Sequence, residues 1–162
     1  MDLIQEEHAS ETIKFLSDNR LYTYIPEDPP TLEALKRRYR FWEARESPDG
    51  VEFWLNWVVF NHENCVGTLQ AGIHRARREA SIAYMIAFEH HGYGFATEAV
   101  TALIDHLRSH YQVSLIKSWI DTRNLASLRV VEKAGLERIE HIKDADHFKG
   151  ESSDEFVYQL VF

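Results

Sequence analysis

The sequence predicts a mixed α/β fold built on one central, mostly antiparallel β-sheet with flanking helices. Three apolar, strand-like segments follow one another with only short polar turns between them, which is typical of antiparallel hairpins. A glycine turn, a helical segment, a further strand and a second helix come next, and two more strands close the chain. The chain has 162 residues, 44% of them hydrophobic, which is enough for a real core. We therefore predict a single domain over residues 1–162.

The composition excludes several classes of function. The chain has 26 acidic and 18 basic residues and a net charge of −8, which disfavours a nucleic-acid-binding protein because such proteins present basic surfaces. It has one cysteine, so neither an intramolecular disulfide nor a cysteine-based zinc site is expected. No segment resembles a signal peptide or is apolar for long enough to cross a bilayer. We expect a cytoplasmic protein without nucleic-acid or membrane partners and without a metal.

The first fifty residues predict two helices separated by a rigid segment. Residues 9–18 form a short amphipathic pattern, and the three prolines of residues 21–30 exclude a helix there. Thr31 is a suitable N-cap for the second helix, over residues 31–44. The apolar positions of this helix share one side. Its basic residues are expected on a solvated face, and they are Lys36, Arg37, Arg38 and Arg40.

Three strands are expected next, over residues 51–60, 65–74 and 80–87. Short polar turns separate them. Trp54 and Trp57 fall on opposite faces of the first strand if it is regular, so one should lie in the core while the other could line a binding cleft. Further strands are expected over residues 115–120, 138–142 and 156–162.

A glycine turn joins the strand of residues 80–87 to a helical pattern over residues 96–111. Gly92 and Gly94 let the backbone turn sharply and let a ligand approach without a Cβ in the way. The helix that begins there directs unpaired N–H groups, and the positive end of its dipole, toward the turn. Strand, glycine turn and helix in this order predict a site for a phosphate or pyrophosphate. Alone, however, such a turn is more often a plain connection.

Two common phosphate-binding motifs do not fit this turn. A Walker A loop needs Gly-Lys followed by Ser or Thr, which the chain does not contain. A dinucleotide-binding Rossmann motif needs a third Gly or Ala three residues after Gly94, where Thr97 stands. No strand ending in an acidic residue follows at the usual distance for a ribose contact. The hypothesis of a nucleotide-binding protein is therefore supported by the loop alone.

A second segment downstream predicts a helix with polar ends. Asn124 is a suitable N-cap, because its side chain can accept hydrogen bonds from the N–H groups two or three residues on. Leu128 and Val131 supply an apolar stripe, and Gly135 is placed to end the helix in a left-handed turn. These residues by themselves predict a capped helix and nothing more.

Together the two segments resemble the GNAT acetyltransferase superfamily. Residues 91–96, His-Gly-Tyr-Gly-Phe-Ala, are similar to its Q/R-x-x-G-x-G/A motif, with His91 in place of Gln or Arg. The Ala-Thr-Glu-Ala of residues 96–99 resembles the sequence that often follows in the branch related to ribosomal-protein N-terminal (alanine) acetyltransferases. Residues 124–127 and 132–136 are similar to the N-x-x-S and E-K-x-G-[FL] motifs of the same branch. The resemblance covers roughly residues 51–160.

The resemblance implies a fold, a co-substrate and a set of site residues. In the superfamily the fourth and fifth strands splay apart to admit the pantetheine arm of acetyl-CoA. The N-terminal segment and the last strands form the acceptor side. The glycine loop holds the pyrophosphate, while Asn124 contacts the pantetheine and Ser127 lies near the thioester sulfur. The cofactor-binding residues implied are Met85, Ile86, Ala87, His91, Gly92, Tyr93, Gly94, Phe95, Ala96, Thr97, Asn124 and Ser127.

Acetyl transfer to an amine has three chemical requirements. It needs an uncharged nucleophile, stabilisation of a developing oxyanion, and a proton for the leaving thiolate. The oxyanion donor is expected among the backbone N–H groups of residues 86–88. We expect Ser127 to be the group nearest the thiolate, as a proton donor or hydrogen-bond partner.

No general base stands out in the sequence. The acidic residue that the superfamily often places on the strand before the glycine loop is replaced here by Ser81. Glu79 lies two residues earlier on the same face, and Glu89 and Asp121 lie at strand ends. We take Glu79, with Asn124 and Ser127, as the catalytic candidates.

Two other features are expected to be structural. Cys65 lies within a strand pattern, so we expect a small core residue and disfavour a covalent acyl-cysteine step. His106 and His110 are one helical turn apart, a spacing that metal sites use. The glutamate of an HExxH motif and a third ligand are missing, which favours a solvated helix face.

Two hypotheses of function follow. The first is an acetyl-CoA-dependent N-acetyltransferase in which a primary amine, on a small molecule, a peptide or a protein N-terminus, attacks directly in a ternary complex. The second is a catalytically inactive acyl-CoA-binding sensor or partner module, which the serine at position 81 favours. We favour the enzyme because Asn124 and Ser127 are both present. Exposed strand edges could pair between two copies of the chain, which suggests a homodimer.

Overall fold

The computed structural model describes residues 1–162 and contains one seven-stranded sheet flanked by four α-helices. In chain order the elements are β1 (Asp2–Leu3), α1 (Ala9–Leu16), α2 (Leu32–Trp42), β2 (Glu52–Asn61), β3 (Asn64–His74), β4 (Glu79–Ile86), α3 (Phe95–Tyr111), β5 (Leu115–Asp121), α4 (Leu125–Lys133), β6 (Glu137–Phe148) and β7 (Glu151–Val161). The strands lie in the order β1-β2-β3-β4-β5-β7-β6. This is the mixed α/β fold that the sequence predicts.

Every neighbouring pair of strands is antiparallel except β4 and β5. These two are parallel and pair only at Glu79–Leu115, Ala80–Ile116 and Ser81–Lys117. Beyond these pairs the strands diverge, while β3 continues to pair with β4 as far as Ile86. At the point of divergence the Ser118 hydroxyl donates to the carbonyl of Ile82, with Oγ and O 3.3 Å apart. The predicted splay of the fourth and fifth strands is confirmed.

Two apolar clusters lie on the two faces of the sheet. The larger one packs α3 and α4 against alternate residues of the central strands, including Ile82 and Ile116. The smaller one packs α1 and α2 against the opposite face, where Val58 lies. The period-two alternation of strand side chains separates the two sets. Trp57 is buried in the larger cluster and Trp54 lies on the other face, as expected.

Helix ends follow the local signals in the sequence. Thr31 caps α2 by accepting a hydrogen bond from the N–H three residues on, at 3.2 Å. Asn124 caps α4 in the same way, and Gly135 follows α4 with a φ of 91°. Each such cap contributes about 1 kcal/mol. The basic face of α2 is largely exposed, and Arg40 pairs there with Glu6, with Nη2 and Oε1 2.6 Å apart.

The last two strands are longer than the sequence predicts, and β1 was not expected. Strand β6 begins at residue 137 and ends at residue 148, while β7 covers residues 151–161. Nearly all side chains of β6 are exposed, since it is an edge strand paired only with β7. A strand exposed on both faces has no apolar alternation, so its regularity comes from pairing with β7. The homodimer suggested by exposed edges stays a prediction.

His106 and His110 lie on one side of α3, but the expected solvated face is wrong for His106, which is half-buried and packs edge-on against Trp57 of β2 with ring centroids 5.7 Å apart. His106 and His110 stack with ring centroids 4.4 Å apart, and burial, followed by the charge of His110, lowers the pKa of His106. No group of three or more histidine, cysteine, aspartate or glutamate side chains is arranged to hold a metal ion. None of the four helices is long and apolar enough to cross a lipid bilayer.

Gly67 of β3 lies directly against the end of β4. A Cβ added at this position would be 2.5 Å from the carbonyl oxygen of Met85 and 2.5 Å from Cδ1 of Ile86. Because that oxygen belongs to the backbone, the strand itself would have to shift. At Gly72 of the same strand an added Cβ would lie 3.0 Å from the Ser81 hydroxyl, which can rotate. Position 67 therefore needs glycine to keep the end of β4 in place.

We expect Gly67→Ala to lower the free energy of unfolding by about 1–3 kcal/mol, since overpacking a close contact costs that much. Gly72→Ala is the matched control and should change it by less than about 1 kcal/mol. Chemical denaturation of both variants and the parent protein measures these values. Equal effects of the two substitutions would contradict the close approach at position 67.

Candidate functional site

The loop between β4 and α3 presents backbone groups rather than side chains. Gly92 and Gly94 have φ angles of 83° and 89°, a region in which residues with a Cβ are strained. No protein atom lies within 4 Å of where a Cβ would stand at either glycine. The backbone conformation therefore requires glycine here, and the open side of the loop leaves room for a ligand.

The first N–H groups of α3 have no acceptor in the protein. The first intrahelical hydrogen bond runs from the N–H of Glu98 to the carbonyl of Gly94, at 3.0 Å. The N–H groups of Phe95, Ala96 and Thr97 precede it, and no side chain caps them. They point out of the helix start, together with the positive end of the dipole of a 17-residue helix. This arrangement suits a phosphate or pyrophosphate.

His91 ties the loop to strand β4. Its Nε2 lies 2.8 Å from the carbonyl oxygen of Ile86, so the ring donates in the tautomer that carries hydrogen on Nε2. The ring also packs against Phe88, with centroids 5.0 Å apart. The guanidinium of Arg20 lies over the same phenyl ring, its Cζ 3.7 Å from the centroid. The histidine that departs from the sequence motif is therefore a structural anchor of the loop.

Strand β4 directs backbone groups into the gap that opens between β4 and β5. The N–H of Ala87 donates to the carbonyl of Val66 in β3 at 2.9 Å, so odd-numbered residues of β4 direct their backbone groups toward β3. The N–H groups of Tyr84 and Ile86 therefore face β5, where pairing has ended. Among the expected oxyanion donors, Ala87 is committed to the sheet while Ile86 faces the gap.

A hydroxyl pair joins the start of α4 to β4. The Oγ of Ser127 lies 2.7 Å from the hydroxyl oxygen of Tyr84, which also lies 3.0 Å from the carbonyl oxygen of Ser127. Asn124 caps the helix, since its Oδ1 accepts from the N–H of Ser127 at 3.1 Å. This cap leaves the amide nitrogen of Asn124 free. The two residues that the sequence singled out on α4 therefore lie together at the edge of the gap, with Tyr84 as a third member.

Tyr84 has one hydrogen to donate and two acceptors within reach. When it donates to the carbonyl of Ser127, the serine hydroxyl must donate back to the tyrosine oxygen. When it donates to Ser127 Oγ instead, the serine hydrogen is free to point elsewhere. Burial raises the pKa of Tyr84 to about 12, against the effect of the hydrogen bond to Ser127, so the phenol keeps its proton at neutral pH. The pair can present the serine hydroxyl as a donor at the gap.

A buried carboxylate holds the end of β5. Asp121 accepts from the guanidinium of Arg123, with Nη2 and Oδ2 2.7 Å apart, and from the hydroxyl of Ser153 in β7, also at 2.7 Å. Burial disfavours its charged form, but the hydrogen bonds from Arg123 and Ser153 outweigh it and hold the pKa of Asp121 below its ordinary value. Asp121 is therefore a structural ion-pair member and a poor proton acceptor.

Glu79 lies far from the hydroxyl pair. It is at the start of β4, where β5 is still paired, about 17 Å along the strand from Tyr84. The structure thus brings Asn124 and Ser127 together but not Glu79. Glu89 is exposed in the short helical turn after β4.

A carboxylate that the sequence does not single out lies nearer the gap. Glu155 of β7 is directly opposite Asp121 and therefore on the same face of the sheet. Its side chain is half-buried and makes no hydrogen bond or ion pair within the protein. Burial, followed by the charges of Asp146 and Asp121, raises the pKa of Glu155 above its ordinary value. A carboxylate of this kind takes up a proton more readily than an exposed one.

The segment before α2 is tied to the turn between β6 and β7. The ammonium of Lys149 donates to the carbonyls of Tyr22 and Ile25, with Nζ and the second oxygen 3.0 Å apart. The same segment reaches the end of β5, because the Cζ of Arg123 lies 6.0 Å from the ring centroid of Tyr24. The N-terminal segment and the C-terminal hairpin therefore meet beside the gap.

Cys65 is a half-buried strand residue that packs against the smaller apolar cluster. Burial raises the pKa of its thiol to about 11, so the nucleophilic thiolate is scarce at neutral pH. Cys65 therefore packs at the margin of the core and not inside it, where the sequence predicted it.

Comparison with known proteins identifies the family. A family model described as an acetyltransferase (GNAT) domain matches residues 1–137. The chain belongs to the GNAT acetyltransferase family. It is accordingly an acyltransferase, and the resemblance inferred from the glycine loop and α4 is confirmed.

A relative similar in sequence and two solved structures similar in fold agree with this assignment. The probable N-acetyltransferase YjcK of Bacillus subtilis is 28% identical over 137 residues, which cover 80% of this chain and 75% of that protein. RimL, a ribosomal L7/L12 α-N-protein acetyltransferase solved in complex with coenzyme A, has a TM-score of 0.88 at 16% identity, over 99% of this chain and 92% of its own. The spermidine N-acetyltransferase of Vibrio cholerae, solved with CoA and spermine, has a TM-score of 0.84 at 18% identity, over 98% and 92% of the two chains. These solved structures share the GNAT fold.

Three residues that the structure places at or beside the gap, Tyr84, Lys149 and Glu155, carried no motif in the sequence. Glu155 and Lys149 lie in a strand and a turn of polar composition. The contact between Tyr84 and Ser127 joins residues 43 positions apart, which no local pattern connects. The alternation within β4 is the one sequence signal that could have placed Tyr84 on a defined side of its strand, and it does not extend to Ser127.

We expect the Tyr84–Ser127 pair to contribute about 1 kcal/mol to the free energy of unfolding. In a double-mutant cycle, Tyr84→Phe and Ser127→Ala should be coupled by about 0.5–1.5 kcal/mol, because each removes the same hydrogen bond. Denaturant titration measures the four stabilities. Tyr158→Phe, which removes a separate hydrogen bond to Glu132, is the control and should be additive with Ser127→Ala. Additive effects of Tyr84→Phe and Ser127→Ala would show that the hydroxyls do not interact in solution.

Proposed function

We propose that the chain is an acetyl-CoA-dependent N-acetyltransferase that transfers the acetyl group directly to a primary amine in a ternary complex. This proposal rests on one observation, which is that three features lie together at the gap between β4 and β5. They are the free N–H groups at the start of α3, the unpaired backbone of β4, and the hydroxyl pair of Tyr84 and Ser127. The names of two solved relatives, a spermidine and a protein α-N-acetyltransferase, support the same reaction class.

The loop fits the pyrophosphate of acetyl-CoA, which supplies the acetyl group when bound. The backbone N–H groups of residues 92–97 would hold the pyrophosphate, whereas the N–H of His91 donates to the carbonyl of Phe88 and its ring anchors the loop. No side chain blocks the open side of the glycines. Residues 85–87 would lie along the pantetheine arm. The free amide nitrogen of Asn124 can donate a hydrogen bond to that arm. These residues are the cofactor-binding set inferred from the sequence, and they form part of this proposal.

The residues at the gap have separate roles. The N–H of Ile86 faces the gap and can stabilise negative charge on the acyl oxygen. Ser127 can donate a hydrogen bond to the leaving sulfur when Tyr84 donates to Ser127 Oγ. Tyr84, with a pKa of about 12, remains a neutral donor while it does so. We assign Ser127 as the partner of the thiolate and Tyr84 as the residue that positions it.

Glu155 is the carboxylate that the geometry favours as proton acceptor. An alkyl ammonium has a pKa of about 10 and must lose a proton before it can attack. Glu155 lies beside the end of the gap, on the face of the sheet away from α3 and α4, and has a raised pKa. It can accept the proton through a water molecule. In this proposal it takes the role that the sequence suggested for Glu79.

A catalytically inactive acyl-CoA-binding module is the alternative. Ser81 stands where the superfamily often has an acid, and its hydroxyl lies 3.4 Å from the carbonyl of Gly72. The position therefore holds a hydroxyl that cannot act as a carboxylate base. Release of free CoA thiol in the presence of amines separates the two hypotheses, because only the enzyme releases it.

Acetyl-CoA should bind the purified protein in calorimetric titration, whereas ATP and NAD should not. Gly94→Glu should weaken this binding by at least about 100-fold. The new carboxylate would lie opposite the pyrophosphate, and like-charge contacts cost several kcal/mol. The φ of 89° at this position also strains any residue with a Cβ.

Gly50→Glu is the matched control for this experiment. Gly50 has a φ of 70° and open surroundings, but it lies in the turn before β2. The control should bind acetyl-CoA as the parent protein does. Absence of acetyl-CoA binding by the parent would refute both the enzyme and the binding module.

The rate of acetyl transfer should fall as the pH drops through the pKa of Glu155, because the base must be unprotonated to accept a proton. This pKa lies above the ordinary value of 4.5. Glu155→Gln should remove that acidic limb of the pH–rate profile and lower kcat by about 10²–10⁴-fold.

Glu79→Gln is the control variant, and it should leave both the acidic limb of the pH–rate profile and kcat nearly unchanged. Steady-state kinetics across the pH range, followed by thiol release, measures both variants. Loss of the limb in Glu79→Gln instead would assign the base to Glu79 and refute the role of Glu155.

A further inference from the structure

Part of one sheet face has no helix over it. Helices α1 and α2 cover this face around Val58 and Ala87, yet Ser81 and Ala83 in the central strand β4 are exposed. The neighbouring strand β5 exposes Trp119, with 46% of its surface accessible. Parallel strands such as β4 and β5 are usually covered on both faces of a sheet. A bare patch that includes a tryptophan is therefore typical of a binding surface.

The register places this patch where β4 and β5 begin to separate. The last pair between these strands is Ser81–Lys117, and Ala83 and Trp119 lie two residues further along each strand, on the same face. Ala83 pairs with Gln70 of β3, and Gln70 in turn pairs with Asn56 of β2. We call the surface formed by Asn56, Thr68, Gln70, Ala83 and Trp119 the apex platform.

Three polar side chains of the apex platform have no hydrogen-bond partner in the protein. Asn56 and Thr68 are each only 7% exposed, and Gln70 is half-buried. No polar side-chain atom of the protein is wholly buried without a partner, so these groups must open onto the surface. Nearly buried polar groups cost free energy unless another molecule bonds to them. Their clustering beside the gap therefore suits recognition of a ligand.

The chemistry of the apex platform is neutral. Two carboxamides and a hydroxyl can both donate and accept hydrogen bonds. The carboxylates of Glu52 and Asp121 flank the platform on the same face, but they already accept from Trp54 and Arg123. Trp119 adds a flat apolar surface. A polyamine would need carboxylates along its length, whereas a molecule with an amide group needs the donors and acceptors present here. The nearest carboxylate proposed to act on an amine, Glu155, lies beyond Trp119 on β7.

We propose that the apex platform binds the acceptor, and that the acceptor is a primary α-amine that carries an amide group beside an apolar or planar body. This inference rests on the proposed N-acetyltransfer and deepens it. The amide bonds to Asn56, Gln70 and Thr68, and the body packs on Trp119. The amine is thereby held where β4 and β5 separate, within reach of the gap. A free amino-acid amide and a peptide N-terminus share this chemistry.

Four acceptors test the chemical class. Phenylalaninamide should have a kcat/KM at least about tenfold above phenylalanine methyl ester, because the ester has an amine of similar basicity but no amide N–H to donate. Spermidine should be a poorer acceptor than either. A tripeptide with N-terminal phenylalanine distinguishes a peptide N-terminus from a free amino-acid amide as the acceptor. A higher kcat/KM than that of the amide indicates a peptide N-terminus, and an equal or lower value indicates the free amide.

Substitutions in the apex platform test whether the acceptor binds there. Trp119→Ala and Gln70→Ala should each raise the KM for phenylalaninamide about tenfold and leave the KM for acetyl-CoA unchanged. Gln70→Ala should also bring the amide-to-ester ratio close to one, and Trp119→Phe should restore most of the affinity. Phe162→Ala is the matched control, because Phe162 is 41% exposed and lies beside Arg108 of α3, on the other face. Thermal denaturation verifies that all variants are folded.

Several outcomes would overturn the inference. They are equal rates with the amide and the ester, a preference for spermidine, and an unchanged KM for phenylalaninamide in both Trp119→Ala and Gln70→Ala. Failure of the proposed function would look different, with tight acetyl-CoA binding but no thiol release with any amine. In that case calorimetric titration of phenylalaninamide into the CoA-saturated protein still tests the apex platform. Binding of phenylalaninamide that is weakened by Trp119→Ala and by Gln70→Ala would support the apex platform as the acceptor site. Absence of phenylalaninamide binding to the parent protein would refute it.

Discussion

The early end of pairing between β4 and β5 is the constraint on which the rest of this structure depends. Only three residue pairs form before the strands diverge. Backbone groups of β4 that would bond to β5 must then find other partners, and two carbonyls do so. The Ser118 hydroxyl donates to Ile82, and the His91 ring donates to Ile86. The N–H groups that face the gap remain for a ligand, which fits a site that binds an extended molecule between two strands.

The gap stays open because each strand is held from its outer side. Strand β4 is bonded to β3 along its length, and the close contact at Gly67 sets the position of its end. Strand β5 pairs with β7 over all seven of its residues, and the carboxylate of Asp121 ties its end to Arg123 and Ser153. Closing the gap would break these hydrogen bonds. The Tyr84–Ser127 pair crosses the gap on one face only, so it does not cover Ala83 and Trp119 on the other face.

Local signals predicted the parts of the site that depend on short stretches of chain. The glycine loop, the N-cap at Asn124 and the helix end at Gly135 follow from the conformational preferences of individual residues. Strands β6 and β7 were predicted too short, because an exposed edge hairpin has no apolar alternation and its register is set by mutual pairing. The position of Glu79 relative to the gap was likewise hidden, since it depends on how far β4 and β5 pair.

By itself the sequence determined the fold class, the order of the elements and the loop that suits a phosphate, because these follow from composition, periodicity and neighbouring residues. Only the tertiary structure decided which side chains meet at the gap. It joined Tyr84 to Ser127, placed Glu155 rather than Glu79 beside the gap, and left Ala83 and Trp119 of the apex platform exposed. Such contacts depend on the register between strands and on the face that each residue takes. A shift of one residue exchanges the faces, and no pattern within a short segment encodes that register.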